Sequence, residues 1–563
     1  MDYNTNYERW FNCETLDPSL KAELIAMNEK EKEDAFYTDL EFGTAGMRGI
    51  LGAGTNRMNI YTIRKANVGF AKYILGLENG KERGVAIGYD NRHMSYRFAV
   101  ESAKVLATFG IKSYIFESLR PTPELSYAVR FLKCAGGIMI TASHNPKEYN
   151  GYKVYDDTGC QLIPEWGDIV VKYVNEVEDE LGVEVCSNEE AYPYMTWIGE
   201  EVDEAYYKEV MGIEINPGMD KSGFKIVFSP QHGTSNIPVR ECLGRLGYDV
   251  VPVLAQCAPD PDYTNTKSPN PEVDMAYELA IIKAKEVGAD VVVICDPDGD
   301  RLGVVAKHDG KYVLMSGNQS AAVYLEYILS QMKEKGTLPD NAVMYNTIVT
   351  SDLGELVARS YGVDVEKTLT GFKFIGDKIR KYEKTGEKQF VGYEESYGCV
   401  IKDFVRDKDA VQAVLTAAEA GNYYKKQGKD LVDVLNELYE KHGTFKETQI
   451  ALSKAGAAGA ARIKEIMDNL RKEAPTTIAN VKVVASEDYQ ASIRYEDGNE
   501  VTIDLPKSNV LKYYLEDGSW IAARPSGTEP KCKFYFSIKG HNAEDAASKT
   551  EVFHKAVLEM IGE

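Results

Sequence analysis

Val291-Val292-Val293-Ile294-Cys295-Asp296-Pro297-Asp298-Gly299-Asp300-Arg301 is the stretch that decides the fold. Five apolar, mostly β-branched residues read as a strand covered on both faces, as in a sheet flanked by helices. The polar turn then falls at the carboxyl end of that strand, where open α/β sheets put their ligands. Asp296, Asp298 and Asp300 stand at alternate positions and can converge on one hard cation if the chain turns there, and Pro297 and Gly299 supply the turn. An EF-hand loop would need glycine at its sixth position and glutamate at its twelfth, where this chain has Arg301 and Lys307. Few protein ligands, with room for waters and a phosphate oxygen, suit Mg²⁺. The plain alternative is an acidic surface turn; the apolar strand before it and the arginine after it weigh against that.

Outward from this strand, short β-rich runs at 84–90, 112–118, 136–143, 224–230, 249–254, 341–350 and 389–396 alternate with helical stretches such as 97–110 and 273–287. These are βα units, so the first three quarters of the chain read as α/β. The remainder differs, with strands expected at 444–452, 481–486, 489–495 and 531–538 and helices at 460–471 and 543–561, a smaller α+β domain. A chain of 563 residues is too long for one core. The expected domains are 1–210, 211–315, 316–440 and 441–563.

Lys and Arg number 65 against 87 Asp and Glu, a net charge of −22, which disfavours nucleic acid and anionic membranes as partners. Any anionic substrate must therefore meet local cations and inward-turned N–H groups. The 9 cysteines are odd in number and scattered, without a Cys-x-x-Cys pair, so free thiols are expected. No apolar run approaches a membrane span and the first residues lack a signal-peptide pattern, so a cytoplasmic protein, monomeric by default, is expected.

Four further segments carry chemistry. Thr141-Ala142-Ser143-His144-Asn145-Pro146 ends another apolar strand and exposes Ser143 as a nucleophile or phosphoryl carrier; the Gly-x-Ser-x-Gly elbow of a serine hydrolase is missing, and His144 is too near in sequence to serve as its base. In Thr370-Gly371-Phe372-Lys373, the lysine can meet phosphate or act as an acid. In Tyr393-Glu394-Glu395-Ser396-Tyr397-Gly398, a carboxylate and a hydroxyl suit vicinal sugar hydroxyls. Arg524-Pro525-Ser526-Gly527-Thr528-Glu529-Pro530-Lys531 offers a guanidinium fork, two hydroxyls and a glycine turn, the parts of a phosphate clamp. Each of these has an ordinary strand-end turn as its simpler explanation.

Together, and with Glu41-Phe42-Gly43-Thr44-Ala45-Gly46-Met47-Arg48-Gly49 and Arg120-Pro121-Thr122-Pro123-Glu124, these segments resemble the α-D-phosphohexomutase superfamily, most closely the bacterial α-phosphoglucomutases of the phosphoglucomutase-2-type branch. The resemblance runs from about residue 35 to the C-terminus. It implies three α/β domains and a smaller C-terminal α+β domain around a central cleft. It also implies a phosphorylated Ser143, and Mg²⁺ held by Asp296, Asp298, Asp300 and a phosphoserine oxygen. Arg48, His144, Lys153 and Arg301 match residues grouped around the phosphoserine. Lys153 is the first candidate for proton transfer, with His144 and Lys373 behind it. Glu394 and Ser396 match sugar-recognition positions, and Arg301, Thr370, Gly371 and Lys373 belong with them to the expected substrate-binding set; Arg524, Ser526, Gly527 and Thr528 match phosphate-binding ones, with Lys531 closing that segment. The implied reaction interconverts glucose 1-phosphate and glucose 6-phosphate through glucose 1,6-bisphosphate. A pentose or mannose phosphate substrate, bisphosphate synthesis, a phosphatase and a non-catalytic sugar-phosphate-binding protein remain as alternatives.

Overall fold

The computed structural model describes every residue except Met1, Thr44, Ala45, Ala455 and 527–530. Its residues gather into two compact units, one of Met1–Gly317 with Phe372–Asp430 and one of Asn318–Gly371 with Leu431–Glu563.

In the first unit a six-stranded sheet runs in the order Gly46–Ile50, Tyr149–Tyr155, Gly136–Ile140, Val85–Tyr89, Ser113–Phe116, Met195–Ile198. The last four strands are mutually parallel, and the first two are antiparallel additions. Strands Val85–Tyr89 and Gly136–Ile140 are buried at every residue, as their unbroken apolar sequence requires when helices cover both faces. Helix Ile60–Leu75 packs on helix Pro164–Asn175 so closely that a Cβ on Gly69 would lie 2.3 Å from Val174 Cγ2. Ahead of the sheet, the N-terminal helices bury Trp10, whose indole N–H donates to Glu180 Oε1 at 2.6 Å.

A five-stranded sheet follows, in the order Lys311–Met315, Leu302–His308, Val291–Cys295, Lys225–Ser229, Asp249–Pro252, with its last three strands parallel. The helix expected over 273–287 begins instead as a tighter 3₁₀ turn, Asp274–Tyr277, before the α-helix Glu278–Val287. Tyr277 explains the change: its hydroxyl donates to the Pro271 carbonyl at 2.6 Å, and its ring occupies the space left by Gly303. The hairpin Lys388–Tyr393 with Cys399–Val400 completes the strands of this unit.

In the second unit Ala342–Thr347 pairs in parallel with Asp364–Thr368. An eight-stranded antiparallel sheet carries helices Gly456–Lys472 and Ala543–Ile561. Along Lys531–Gly540, Cys532, Phe534, Phe536 and Ile538 alternate into the core these helices share. The strand expected over 489–495 is displaced to Ile493–Glu496, because the Asp488 carboxylate accepts the N–H groups of Gln490 and Ala491 and turns the chain first. All nine cysteines are free. No helix among the described residues is long and apolar enough to cross a membrane.

Candidate active site

Ser143 leaves the end of strand Gly136–Ile140 on a turn in which its own φ is +53°. Its N–H donates to Thr141 Oγ1 at 2.8 Å, so the threonine hydroxyl takes the bond the strand ladder no longer supplies. The residue is only 6% exposed. Its Oγ donates to Asp296 Oδ2 at 2.9 Å and lies 3.2 Å from His144 Nδ1. Two sheets thus meet at one atom: the hydroxyl comes from the six-stranded sheet and the carboxylate from the five-stranded one.

The turn after Val291–Cys295 is built from its own sequence. Asp296 Oδ1 accepts the N–H groups of Asp300 (3.1 Å) and Arg301 (2.9 Å), and Gly299 sits at φ +69° with Pro121 2.8 Å from where a Cβ would stand. Thr122 fastens the turn from outside, its N–H on the Asp298 carbonyl at 2.8 Å and its hydroxyl on Asp298 Oδ2 at 3.1 Å. Oxygens of Asp296, Asp298 and Asp300 lie within 4.8 Å of one another, all buried. Lys153 Nζ donates to Asp298 Oδ2 at 2.9 Å and stands 3.8 Å from Asp300 Oδ2. Lys408 Nζ is 3.1 Å from both Asp300 Oδ2 and Asp407 Oδ1, and Tyr155 donates to Asp407 Oδ2 at 2.9 Å. The result is a row of alternating carboxylates and ammonium groups, buried except for the half-buried Lys153.

Burial pushes Asp296 far above the usual carboxylate range, and repulsion from Asp298 and Asp300 adds to it. Burial also lifts Asp300, with Asp298 adding, against Lys408 and Lys153. At Asp298 burial acts upward too, yet the Lys153 ammonium and other donors outweigh it and the carboxyl ends below its ordinary value. Lys153 is raised: its burial disfavours the charge, but Asp298 and Asp300 more than compensate. His144 is pushed down to about 2 by burial and by Arg301, which keeps its imidazole neutral. Among the described residues Asp298 Oδ1 and Asp300 Oδ1 are buried without a hydrogen-bond partner, a costly state that a hard cation would relieve. The residues present therefore fit a divalent metal ion.

Arg301 turns away from the strand to Glu272 Oε1 at 2.7 Å, with its Nε 3.8 Å from Asp300 Oδ1. Arg48, exposed on the edge strand Gly46–Ile50, reaches Asn145 Oδ1 at 3.1 Å. The segment 394–398 closes on itself through Glu394 N–H to the Gly398 carbonyl at 2.9 Å, and its Tyr397 carbonyl accepts the Leu302 N–H at 3.0 Å, one residue after Arg301. Glu394 is buried and its charge acts on Arg301 and Lys408; Ser396 is half-buried. Lys373 opens helix Phe372–Thr385. Beside the Ser143 turn lies a cavity of about 520 Å³, lined among others by His144, Asn145, Lys147, Asp262 and Lys267.

Thr370 and Gly371 belong to the second unit, after strand Asp364–Thr368, with Gly371 at φ +118°. Arg524 is the last residue but one of strand Trp520–Pro525 of that unit, half-buried, and Ser526 donates its N–H to the Lys531 carbonyl at 2.7 Å. Gly527 and Thr528 lie outside the described residues. Lys408, Asp407 and Glu272 join the first-unit cluster although no motif reading found them. The alternation Asp407-Lys408-Asp409 just beyond the sugar-type loop was the available signal.

A recessed hydroxyl against three convergent carboxylates, with ammonium groups between them, has the chemistry of an enzyme site. Comparison with known proteins agrees. Family models match in chain order: phosphoglucomutase/phosphomannomutase alpha/beta/alpha domain I over residues 39–180, domain II over 204–310, domain III over 316–442 and the C-terminal domain over 462–554. The chain belongs to the phosphoglucomutase/phosphomannomutase family, and it is a mutase of that family. A phosphoglucomutase of Staphylococcus haemolyticus is 37% identical over 521 residues, spanning 92% of this chain and 93% of that one. Two solved structures share the fold. One is a phosphoglucomutase/phosphomannomutase family protein of Burkholderia thailandensis (TM-score 0.67, 20% identity, 92% of this chain and 97% of that one). The other is the Paramecium parafusin, a phosphoglucomutase, in its open form (TM-score 0.68, 18% identity, 93% and 95%).

Proposed function

We propose that this enzyme interconverts α-D-glucose 1-phosphate and glucose 6-phosphate through a phosphoryl group carried on Ser143 and a glucose 1,6-bisphosphate intermediate. The observation that carries the reading is the 2.9 Å contact between Ser143 Oγ and Asp296 Oδ2, inside the buried carboxylate cluster. The choice of glucose leans on the relatives named phosphoglucomutase.

In the forward direction the Ser143 Oγ–P bond breaks as an O6–P bond forms, and the O6 proton ends on Ser143 Oγ. Lys153, already seated on Asp298, is the candidate to relay it. The bisphosphate then turns around and returns its C1 phosphoryl group to Ser143. Asp296, Asp298 and Asp300 would hold Mg²⁺, which when bound supplies neutralising charge for the transferring phosphoryl oxygens. Arg48, Arg301 and His144 border the phosphorylated serine, Thr370, Gly371, Lys373, Glu394 and Ser396 read the sugar, and Arg524, Ser526, Gly527, Thr528 and Lys531 hold the phosphate that is not reacting. Because the sugar binds in two orientations, Glu394 and Ser396 must read hydroxyls that both orientations present. A cytoplasmic, monomeric enzyme accompanies this reading.

The test is conversion of glucose 1-phosphate with Mg²⁺ and a trace of glucose 1,6-bisphosphate, beside mannose and ribose 1-phosphates, with phosphoryl label followed on the protein. Ser143→Ala should lose both label and turnover. Label persisting in that variant places the carrier elsewhere, fast ribose with slow glucose moves the substrate, and free phosphate as sole product makes the enzyme a phosphatase.

A further inference from the structure

The turn Asp90-Asn91-Arg92 follows strand Val85–Tyr89, the neighbour of the strand that leads to Ser143. The Arg92 side chain is wholly buried, and its guanidinium spends its terminal donors on one loop. Nη2 donates to the carbonyls of Ser143 and Asn145, each at 2.6 Å, and Nη1 to those of Pro146 (2.8 Å) and Tyr149 (3.1 Å). Asp90 holds the fork from behind, its Oδ2 3.3 Å from Arg92 Nε while its Oδ1 accepts the Ser95 hydroxyl at 2.7 Å. The Tyr263 ring covers the guanidinium at 5.4 Å, and Asn91 ties the same turn to the Asp260 carbonyl at 2.9 Å.

Four carbonyls from residues 143–149 bound by one planar group fix the course of that loop, and a planar fork does this where a single ammonium point cannot. The residue so held sits at φ +53°, a conformation a serine adopts only when its surroundings determine it. On that loop Arg92 meets no reacting atom, only the backbone that aims one. We propose that Arg92 is a positioning residue that holds the Ser143 backbone so that Oγ faces Asp296 and the transferred phosphoryl group stays in line with the sugar hydroxyl. This rests on the reading of Ser143 as the phosphoryl carrier.

The full-length protein, charged with labelled glucose 1,6-bisphosphate, is compared as wild type, Arg92→Lys, Asp90→Asn and Ser143→Ala. Arg92→Lys should still take up label but pass it to glucose 1-phosphate about 100-fold more slowly, the scale set by misplacing a reacting group by an ångström. Its KM should change by less than about threefold, and the share of label lost to water per phosphoserine should rise about tenfold. Asp90→Asn keeps the fork and loosens its anchor, so it should shift the same partition in the same direction by less, and it decides the matter if Arg92→Lys does not fold. A merely structural role would reduce the amount of labelled enzyme and leave the partition per phosphoserine untouched. Label lost in Ser143→Ala but passed on normally by folded Arg92 or Asp90 variants overturns this inference alone. Label surviving in Ser143→Ala overturns the carrier reading, and this inference with it.

Discussion

The turn at 296–301 and the paired strand ends at Arg524–Ser526 and Lys531 both carry polar residues named in the proposal, and they are built in opposite ways. In the first, Asp296 and Asp298 are 0% exposed and Asp300 is 2% exposed, each held by backbone N–H groups, a hydroxyl or lysines. In the second, Arg524 is half-buried and Ser526 exposed, and the closing bond between Ser526 N–H and the Lys531 carbonyl belongs to the backbone. Charge fixed in a dry, prearranged cluster can act on a transition state without reorganising, whereas solvated donors chiefly gain or lose a ligand. Changes in the first turn should therefore strike kcat and changes in the second KM.

The sharpest break is Asp298→Asn, which removes a carboxylate charge from the cluster and leaves Lys153 without its nearest counter-charge. Activity should fall on the order of 10²–10³-fold, with weaker metal dependence. Steady-state kinetics across a Mg²⁺ titration check it, and near-normal turnover in chelator would remove the metal from the reading. Arg524→Ala should instead raise KM about 10–100-fold, the scale of one charge-assisted hydrogen bond, with kcat within about threefold. A collapse of kcat with KM unchanged would mean that Arg524 takes part in the chemical step.

The third contrast concerns stability. Lys512, in the same unit as Arg524, is buried with no carboxylate in hydrogen-bond contact among the described residues: its Nζ donates to the Ile348 carbonyl at 2.8 Å and lies 4.0 Å from the Trp520 ring. Burial first, then the Lys367 charge, pulls its pKa down from 10.5 to about 7. A lysine whose pKa falls on folding costs nothing above its unfolded pKa, where it is neutral in both states, and its cost grows as pH falls from 10.5 through about 7. The full shift corresponds to roughly 4–5 kcal/mol as an order of magnitude. Calorimetry between pH 7 and 10 should show the second unit gaining stability with pH in wild type, and much less of that slope in Lys512→Met. An equal slope in the variant would assign the pH dependence to another group.

The strands that carry the site were legible because their apolar runs are unbroken: Val291–Cys295 and Gly136–Ile140 lie within a few residues of where the sequence puts them. Segments whose course depends on a distant contact were less so. The early turn after Asp488 and the 3₁₀ start at Asp274–Tyr277 follow from a side chain capping the backbone and from a tyrosine filling a glycine's space, neither of which periodicity records.

By itself the sequence determined the strand ends at which Ser143 and the three aspartates stand, since β-branched runs and Pro/Gly turns act locally. Only the tertiary structure decided that these ends face each other. It also brought in Thr122, Lys408 and Glu272 and set Arg92 beneath the Ser143 turn, because burial and charge pairing between residues far apart in the chain follow from packing, which no local pattern encodes.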